Sequence, residues 1–336
     1  VIKDEMERIY IDTEVTKGVN AGSKARFDCR KILESYGYEE RTVLAKKKFF
    51  FKSIKSVVAM LISIQKMSEV VLQYPLDNSL YITELIVEVC KKKKCKLSVL
   101  IHDINSFRTT GHIANREIRI LKKADNLIVH NDMMCKILKN HICDAHYFIL
   151  QTFDYLISQA SEEGTFENTV VFAGNLKKSI FLKNIKNLGV KFNLYGAKVD
   201  ELDLICNDMV SYKGVFQQDD LSALMGNWGL VWDGTSITTC DGLYGKYLKY
   251  NAPHKLSLYL VANLPVIIWA EAAEAEFVRD NKLGVIVNSL YEMKSLLEKI
   301  TQEEYLEMKK NVEDYAHRLR GGLNLGYVLS QIEKSN

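Results

Sequence analysis

In the stretch NAPHKLSLYLVANLPVIIW, Lys255 stands two residues after Pro253 and one after His254. Proline fixes φ and needs no hydrogen-bond donor, so it suits the first turn of a helix, where the backbone N–H groups have no partners. His254 and Lys255 then lie at the electropositive end of that helix, and Pro265 closes it before the buried strand PVIIW. A cation at such an end in an α/β domain suits an anionic ligand. Lys177 and Lys178 follow Gly174 in VFAGNLKKS. A strand, a glycine that permits close backbone approach and a helix start bearing a lysine make a phosphate cradle, although many such loops carry Gly and Lys for solubility alone. A third helix start, AEAAEAEFV, has small residues at Ala272, Ala273 and Ala275 that would let a diphosphate approach the backbone. Glu276 would accept hydrogen bonds from ribose hydroxyls, or serve only as a surface carboxylate well placed for the helix dipole.

Between these motifs lies WDGTSITTCDGLYGKYLKYN, residues 232–251, which reads as one long irregular loop containing Asp233, Tyr244, Tyr247 and Tyr250. Long irregular loops in compact domains are usually functional or unstructured, and the aromatic residues argue for function. The mixture suits a sugar, whose hydroxyls pair with Asp and Thr and whose C–H faces pack on rings. The tyrosines could equally pack the loop onto its own domain.

Strands must carry these loops, and the chain supplies them in an alternating rhythm. RIYIDT, RTVLA, EVVLQYP, LSVLIHD and NLIVHN are short apolar runs separated by helical stretches, the first of these from about Lys24 to Tyr36. TVVFAG, KFNLYG, YKGVF, WGLVWD, PVIIW and LGVIV restart the pattern in the second half. This is the βα alternation of a parallel, doubly wound sheet. The polar stretch SQASEEGTFEN, residues 158–168, interrupts it and reads as a linker. The expected class is α/β, with two Rossmann-like domains at residues 1–157 and 169–320 facing each other across a cleft. A terminal helix at about 321–336 could pack back on the first domain. Ligands in such sheets sit beyond the carboxyl ends of the strands.

Composition agrees with two cores, since 336 residues exceed one ordinary domain and a 47% hydrophobic content can fill both. A net charge of +3 is too small to argue for nucleic acid as a partner. The seven cysteines are scattered, odd in number and without metal-ligand spacing, so they read as reduced thiols of a cytoplasmic protein. The opening VIKDEMERIYI is too polar for a signal peptide, and no apolar run reaches the roughly eighteen residues of a membrane span. Any membrane contact is therefore expected to be peripheral, and homo-oligomerisation is left open.

TCDGLYGKYLKYNAPHKLSLYLVANLPVIIW, preceded by VFAGNLKKS and GLVWDG and followed by AEFVRDNKLGVIV, resembles bacterial β-1,6-galactofuranosyltransferases of O-antigen synthesis. The resemblance runs from VNAGSKAR through VLIHDI to the C-terminus, and extends more loosely to the cytoplasmic glucosyltransferases that extend sugars on serine-rich adhesins. It implies a GT-B enzyme that binds a nucleotide diphosphate sugar in its C-terminal domain and the acceptor mainly in its N-terminal domain. Carried over by residue, it implies Lys255 on the diphosphate of a UDP-sugar, Lys178 near the same group and Tyr195 near the uridine. Gly22 and Ser23 match a first loop that reaches toward the donor. Lys178 departs from the arginine of the glucosyltransferases and loses its bidentate fork. VAN, residues 261–263, stands where AAG is common. No DxD-like pair lies in a suitable loop, and lysines with helix dipoles can neutralise a departing diphosphate, so no metal or other cofactor is expected.

The inverting transfer implied by the resemblance needs a base to deprotonate the acceptor hydroxyl. VLIHDINSFR places His102 and Asp103 at the carboxyl end of a buried strand. Asp103 is preferred, since a partly desolvated carboxylate has a raised pKa yet stays ionised at neutral pH. His102 would orient the acceptor, share the proton or itself be the base, and the pair could also only tie down its loop. The implied donor sugar is galactofuranose or, second, glucose, and the implied acceptor a glycan or lipid-linked glycan. A nucleotide-sugar epimerase or a non-catalytic sensor would share the architecture. In KKKFFFKSIKSVVAMLISIQKM, residues 46–67, the spacing assigns Val57, Met60, Leu61 and Ile64 to the core. Lys46, Lys47 and Lys48 with Phe49, Phe50 and Phe51 form a basic-aromatic patch suited to an anionic membrane surface, or a lysine cluster ahead of buried phenylalanines.

Overall fold

Alternating apolar runs and amphipathic stretches fold into two sheets, each parallel throughout. The computed structural model describes residues 6–13, 21–43, 50–76, 80–158, 167–197 and 207–335. The expected linker falls mostly outside them, as do Lys46, Lys47, Lys48 and Phe49 and the side chains of Phe50 and Phe51.

One compact unit takes Val1–Gly18, Ala25–Gln151 and Leu325–Asn336. Its elements are β1 (Arg8–Thr13), α1 (Ala21–Ser35), β2 (Glu39–Val43), α2 (Phe50–Ser63), β3 (Glu69–Tyr74), α3 (Leu80–Lys92) and β4 (Lys96–Ile101). Then come α4 (Asn105–Thr110), α5 (Asn115–Leu121), β5 (Asn126–Val129), α6 (Asp132–Lys139) and β6 (His146–Ile149). The strand order is β2-β1-β3-β4-β5-β6. Leu72 of β3 lies between Ile11 and Val99 of its neighbours, and every residue of β3 is buried, as in a parallel sheet covered on both faces. Enclosing a side chain such as Leu72 is worth roughly 1.5–3 kcal/mol. Helix α2 covers the sheet with Val57, Met60, Leu61 and Ile64, the four residues its spacing assigns to the core. Helix α1 begins at Ala21, earlier than the Lys24 start expected from the sequence.

The other unit takes Val19–Lys24 and Thr152–Asn324. It contains β7 (Val170–Ala173), β8 (Phe192–Tyr195), β9 (Val210–Gly214), β10 (Trp228–Val231), α7 (Gly242–Tyr247), α8 (His254–Val261) and β11 (Val266–Trp269). After these come α9 (Ala275–Asp280), β12 (Gly284–Val287), α10 (Met293–Leu297), α11 (Gln302–Arg320) and the start of α12 (Leu323–Ser335). The order β12-β11-β10-β7-β8-β9 reverses direction between β7 and β10, the arrangement of a dinucleotide-binding sheet. The core centres on Trp228, Trp232, Phe172 and Tyr259, all fully buried.

Three local expectations change. NLKKS does not open an α-helix: it forms a 3-10 turn at Leu176–Lys178, because Ser179 leaves helical geometry (ψ 64°) while the Asn175 side chain accepts the Lys178 N–H. The long loop 232–251 is not wholly irregular but contains α7. Pro253 is the N-cap of α8 (φ −71°, ψ 134°), just outside the helix rather than in its first turn. Helix α8 is located by Tyr259, whose ring fills the space above Gly229, where any Cβ would lie 2.2 Å from Tyr259 Cγ. The Tyr259 hydroxyl also accepts the Ala173 N–H at 2.9 Å, so α8 is tied to both β10 and β7.

Candidate functional site

The reversal of strand order in the second unit opens a cavity of about 580 Å³ at the carboxyl ends of β7, β8, β9 and β10. Its floor depends on a close crossing at Gly196 (φ +144°), where a Cβ would lie 1.8 Å from the Gly174 carbonyl oxygen, so only glycine fits. Lys255 packs its Cε against Gly174. Its ammonium donates to Trp232 O at 3.1 Å and to Asp233 Oδ1 at 3.0 Å, and lies 4.4 Å from the centre of the Phe172 ring. Three anchors thus hold a largely buried cation in one place. Lys178 lines the same cavity, with its ammonium 4.9 Å from the Tyr244 ring centre.

The segment leading into α7 is shaped by Asp241. Its carboxylate accepts the Thr235 N–H (2.5 Å), the Ser236 N–H (3.2 Å) and the Thr235 hydroxyl (2.6 Å). Burial pushes that carboxyl up, but these bonds outweigh it and hold it below the usual carboxylate range. The result presents Asp233 and Tyr244 to the cavity.

His254 forms another wall. Its ring stacks on Tyr155, centroids 4.9 Å apart, and its Nε2 is buried with no hydrogen-bond partner among the described residues. Burial, with the nearby Lys24 charge, pushes the imidazole down to about 3, so it is neutral. Lys24 donates to Leu156 O and stands 4.8 Å from the Tyr155 ring centre. Gly22 and Ser23 precede it in the first turn of α1.

Of the residues singled out in the sequence, Gly174, Lys178, Asp233, Tyr244, His254 and Lys255 meet around this one cavity. Tyr195 does not line it: its hydroxyl accepts the Met225 N–H at 2.9 Å, and its ring backs Phe216, which does line it. Ala272, Ala273 and Glu276 are also elsewhere. The Ala272 and Ala273 N–H groups bond Trp269 O and Leu248 O, and Glu276 pairs with Arg279 on the surface. Asn175, Phe216 and Gln218 are cavity residues whose role sequence reasoning missed. Only Asn175, a helix-capping residue type directly after a glycine, carried a usable signal.

In the first unit, the strand ends hold a second polar cluster. Asp12, fully buried at the end of β1, accepts from Arg26 (2.5 Å), Arg30 (2.8 Å) and the Gln73 amide N–H (3.0 Å). Because the Gln73 NH₂ faces a carboxylate, its carbonyl oxygen is the acceptor for His102 Nε2 at 2.8 Å, and that nitrogen carries the proton. Asp103 pairs with Arg108 of α4 at 2.5 Å. Asp12, Gln73 and the two arginines had no local motif in the sequence to mark them. His130, behind the cluster, is pushed down to about 4 by burial, against its bond to Ile101 O at 2.9 Å.

A lysine-lined cavity at the switch point of one such sheet, in a chain that builds the parallel sheet twice, is the GT-B fold, and the family and relatives it matches make it a glycosyltransferase of that type. The fold is shared with the pneumococcal O-GlcNAc transferase GtfA, solved in complex with UDP and GlcNAc, at a TM-score of 0.54 and 16% identity. That match covers 83% of this chain and 59% of GtfA. Residues 8–153 match the family described as "Glucosyltransferase 3-like, N-terminal domain" and residues 170–332 its C-terminal counterpart, and the chain belongs to this family. It is 35% identical over 245 residues to the β-1,6-galactofuranosyltransferase WbbI of Escherichia coli (strain K12), covering 71% of this chain and 72% of that one. It is also 25% identical over 312 residues to Glucosyltransferase 3 of Streptococcus gordonii, covering 89% and 90%.

Proposed function

We propose that this glycosyltransferase moves a hexose, galactofuranose first, from a UDP-sugar to a hydroxyl of a glycan or lipid-linked glycan, with inversion. The observation that supports this most is the Lys255 ammonium, held by Trp232 O, Asp233 and the Phe172 ring at the wall of a nucleotide-sized cavity. In this reading Lys255 and Lys178 take the diphosphate, Val215 and Phe216 face the base, and Asp233 and Tyr244 face the hexose. Tyr195 acts through Phe216, against which it packs edge-on at 6.1 Å. Asp103 is the proposed base, with His102 held by Gln73 as the alternative. The two lysines carry the charge of the departing diphosphate in place of a metal ion. Galactofuranose is favoured over glucose because WbbI is the more similar of the two relatives.

Mass-spectrometric transfer assays with UDP-galactofuranose and UDP-glucose, each offered to a panel of glycan acceptors, test the reading. Consumption of UDP-galactofuranose with a hexose added to an acceptor is the expected result. Transfer from UDP-glucose alone would replace the donor assignment. Isomerised free nucleotide sugar, or binding without turnover across the panel, would overturn the transferase reading in favour of an epimerase or a sensor.

A further inference from the structure

Among its described side chains, the second half of helix α2 carries apolar residues on both faces. Opposite its buried residues, Val58, Ala59 and Ile62 form an exposed row, with Val58 44% and Ile62 74% exposed. Met67, just beyond the helix, continues it at 65% exposure. Single apolar residues on a surface need no explanation, but a continuous row marks an interaction site.

The flanks of this row are basic. Lys55 and Lys66 are exposed at its two ends. Lys93 donates to the carbonyls of Leu61 (2.8 Å), Ile62 (3.2 Å) and Ile64 (2.5 Å), and the Met67 N–H donates to Lys93 O at 3.0 Å. Those bonds bring exposed Lys92 and Lys94 to the same end of α2. Residues 41–68 contain seven cations and no carboxylate. Glu7, whose carboxylate accepts the Gln65 N–H at 2.9 Å, is paired with Arg41 at 3.1 Å.

We infer that the outer face of α2 and the adjoining lysine turn dock on a membrane surface of anionic phospholipid. An anionic headgroup layer complements the lysines, and its boundary with the acyl chains takes up Val58, Ile62 and Met67. A second copy of the chain across a twofold axis would set these lysines against one another. The same segment leads back in sequence to Lys46, Lys47 and Lys48, which lie outside the described residues. The inference does not depend on which sugar is transferred.

Flotation of the full chain with vesicles of phosphatidylcholine alone, and of phosphatidylcholine with phosphatidylglycerol, tests it. Binding should require phosphatidylglycerol and weaken as salt rises. Each lysine near the surface contributes about fivefold, so K92Q/K94Q should weaken binding about 25-fold. V58S/I62S should weaken it independently by removing the apolar row. Circular dichroism and UDP calorimetry on both variants check that they are folded, since none of these side chains lines the UDP cavity. Equal binding to the two vesicle types, binding to neither, or anionic binding untouched in both folded variants would overturn the inference. So would self-association of the chain that V58S/I62S abolishes, which would assign the row to a second copy.

Discussion

Removing the Lys255 ammonium tests the donor site most directly. The side chain is 15% exposed, so its bond to a diphosphate forms in a partly desolvated setting. A charge-assisted bond of that kind contributes ~1.5–3 kcal/mol, and Lys255→Ala should weaken UDP binding by roughly 12- to 160-fold. A second effect follows from the 3.0 Å pairing with Asp233. Without the lysine, that carboxylate confronts the diphosphate unscreened, and two like charges 4 Å apart repel by ~4 kcal/mol at an effective dielectric constant of about 20. Asp233→Asn in the Lys255→Ala background should therefore recover part of the lost affinity, while Asp233→Asn alone should leave UDP affinity unchanged or higher. Titration calorimetry on the three variants completes the cycle, and a coupling energy close to zero would contradict direct pairing. A folded Lys255→Ala protein that binds UDP within about threefold of the parent would refute the diphosphate assignment.

Asp103→Asn should lower transfer by ~10²–10⁴ with UDP affinity nearly intact, as a lost base acting on the acceptor requires; near-normal turnover would pass the role to His102 or elsewhere. Transfer should survive EDTA, and a loss reversed by Mg²⁺ or Mn²⁺ would end the metal-independent reading. His254 and His130 are pushed from 6.5 down to about 3 and about 4, so below pH 6.5 the unfolded chain binds protons that the native state does not. Stability should be full above about pH 6.5 and fall as pH drops, by up to ~1.4 kcal/mol per pH unit for each ring. Scanning calorimetry between pH 7 and 5 should show a shallower decline for His254→Asn than for the parent; an identical slope would mean that His254 titrates alike in the folded and unfolded chain.

How far the site was legible depends on the range of the interactions that make it. Strand runs such as PVIIW and EVVLQYP are marked by their own composition, because a strand buried on both faces must be apolar along its whole length. The glycine-lysine turn at 174–178 and the start of α8 after Pro253 were located by their neighbours in sequence, although the first is a 3-10 turn instead of the expected helix start and Pro253 caps α8 from just outside it. Lys255, Lys178 and Asp233 meet only because the order of β7 and β10 reverses the sheet and Tyr259 seats α8 over Gly229. The helix start at Ala272 and Ala273 has the local look of a diphosphate cradle, yet both N–H groups are taken by Trp269 O and Leu248 O, the second of them distant in sequence. His254 sits beside Lys255 in the chain, but its neutrality comes from Tyr155 and Lys24, about 100 and 230 residues away. The bond from Gln73 that sets the proton on His102 comes from a different strand, and no local pattern encodes it. Periodicity and turn chemistry therefore determined the elements from the sequence alone, while burial and partner choice, which set charge states and who meets whom, were decided by the tertiary structure.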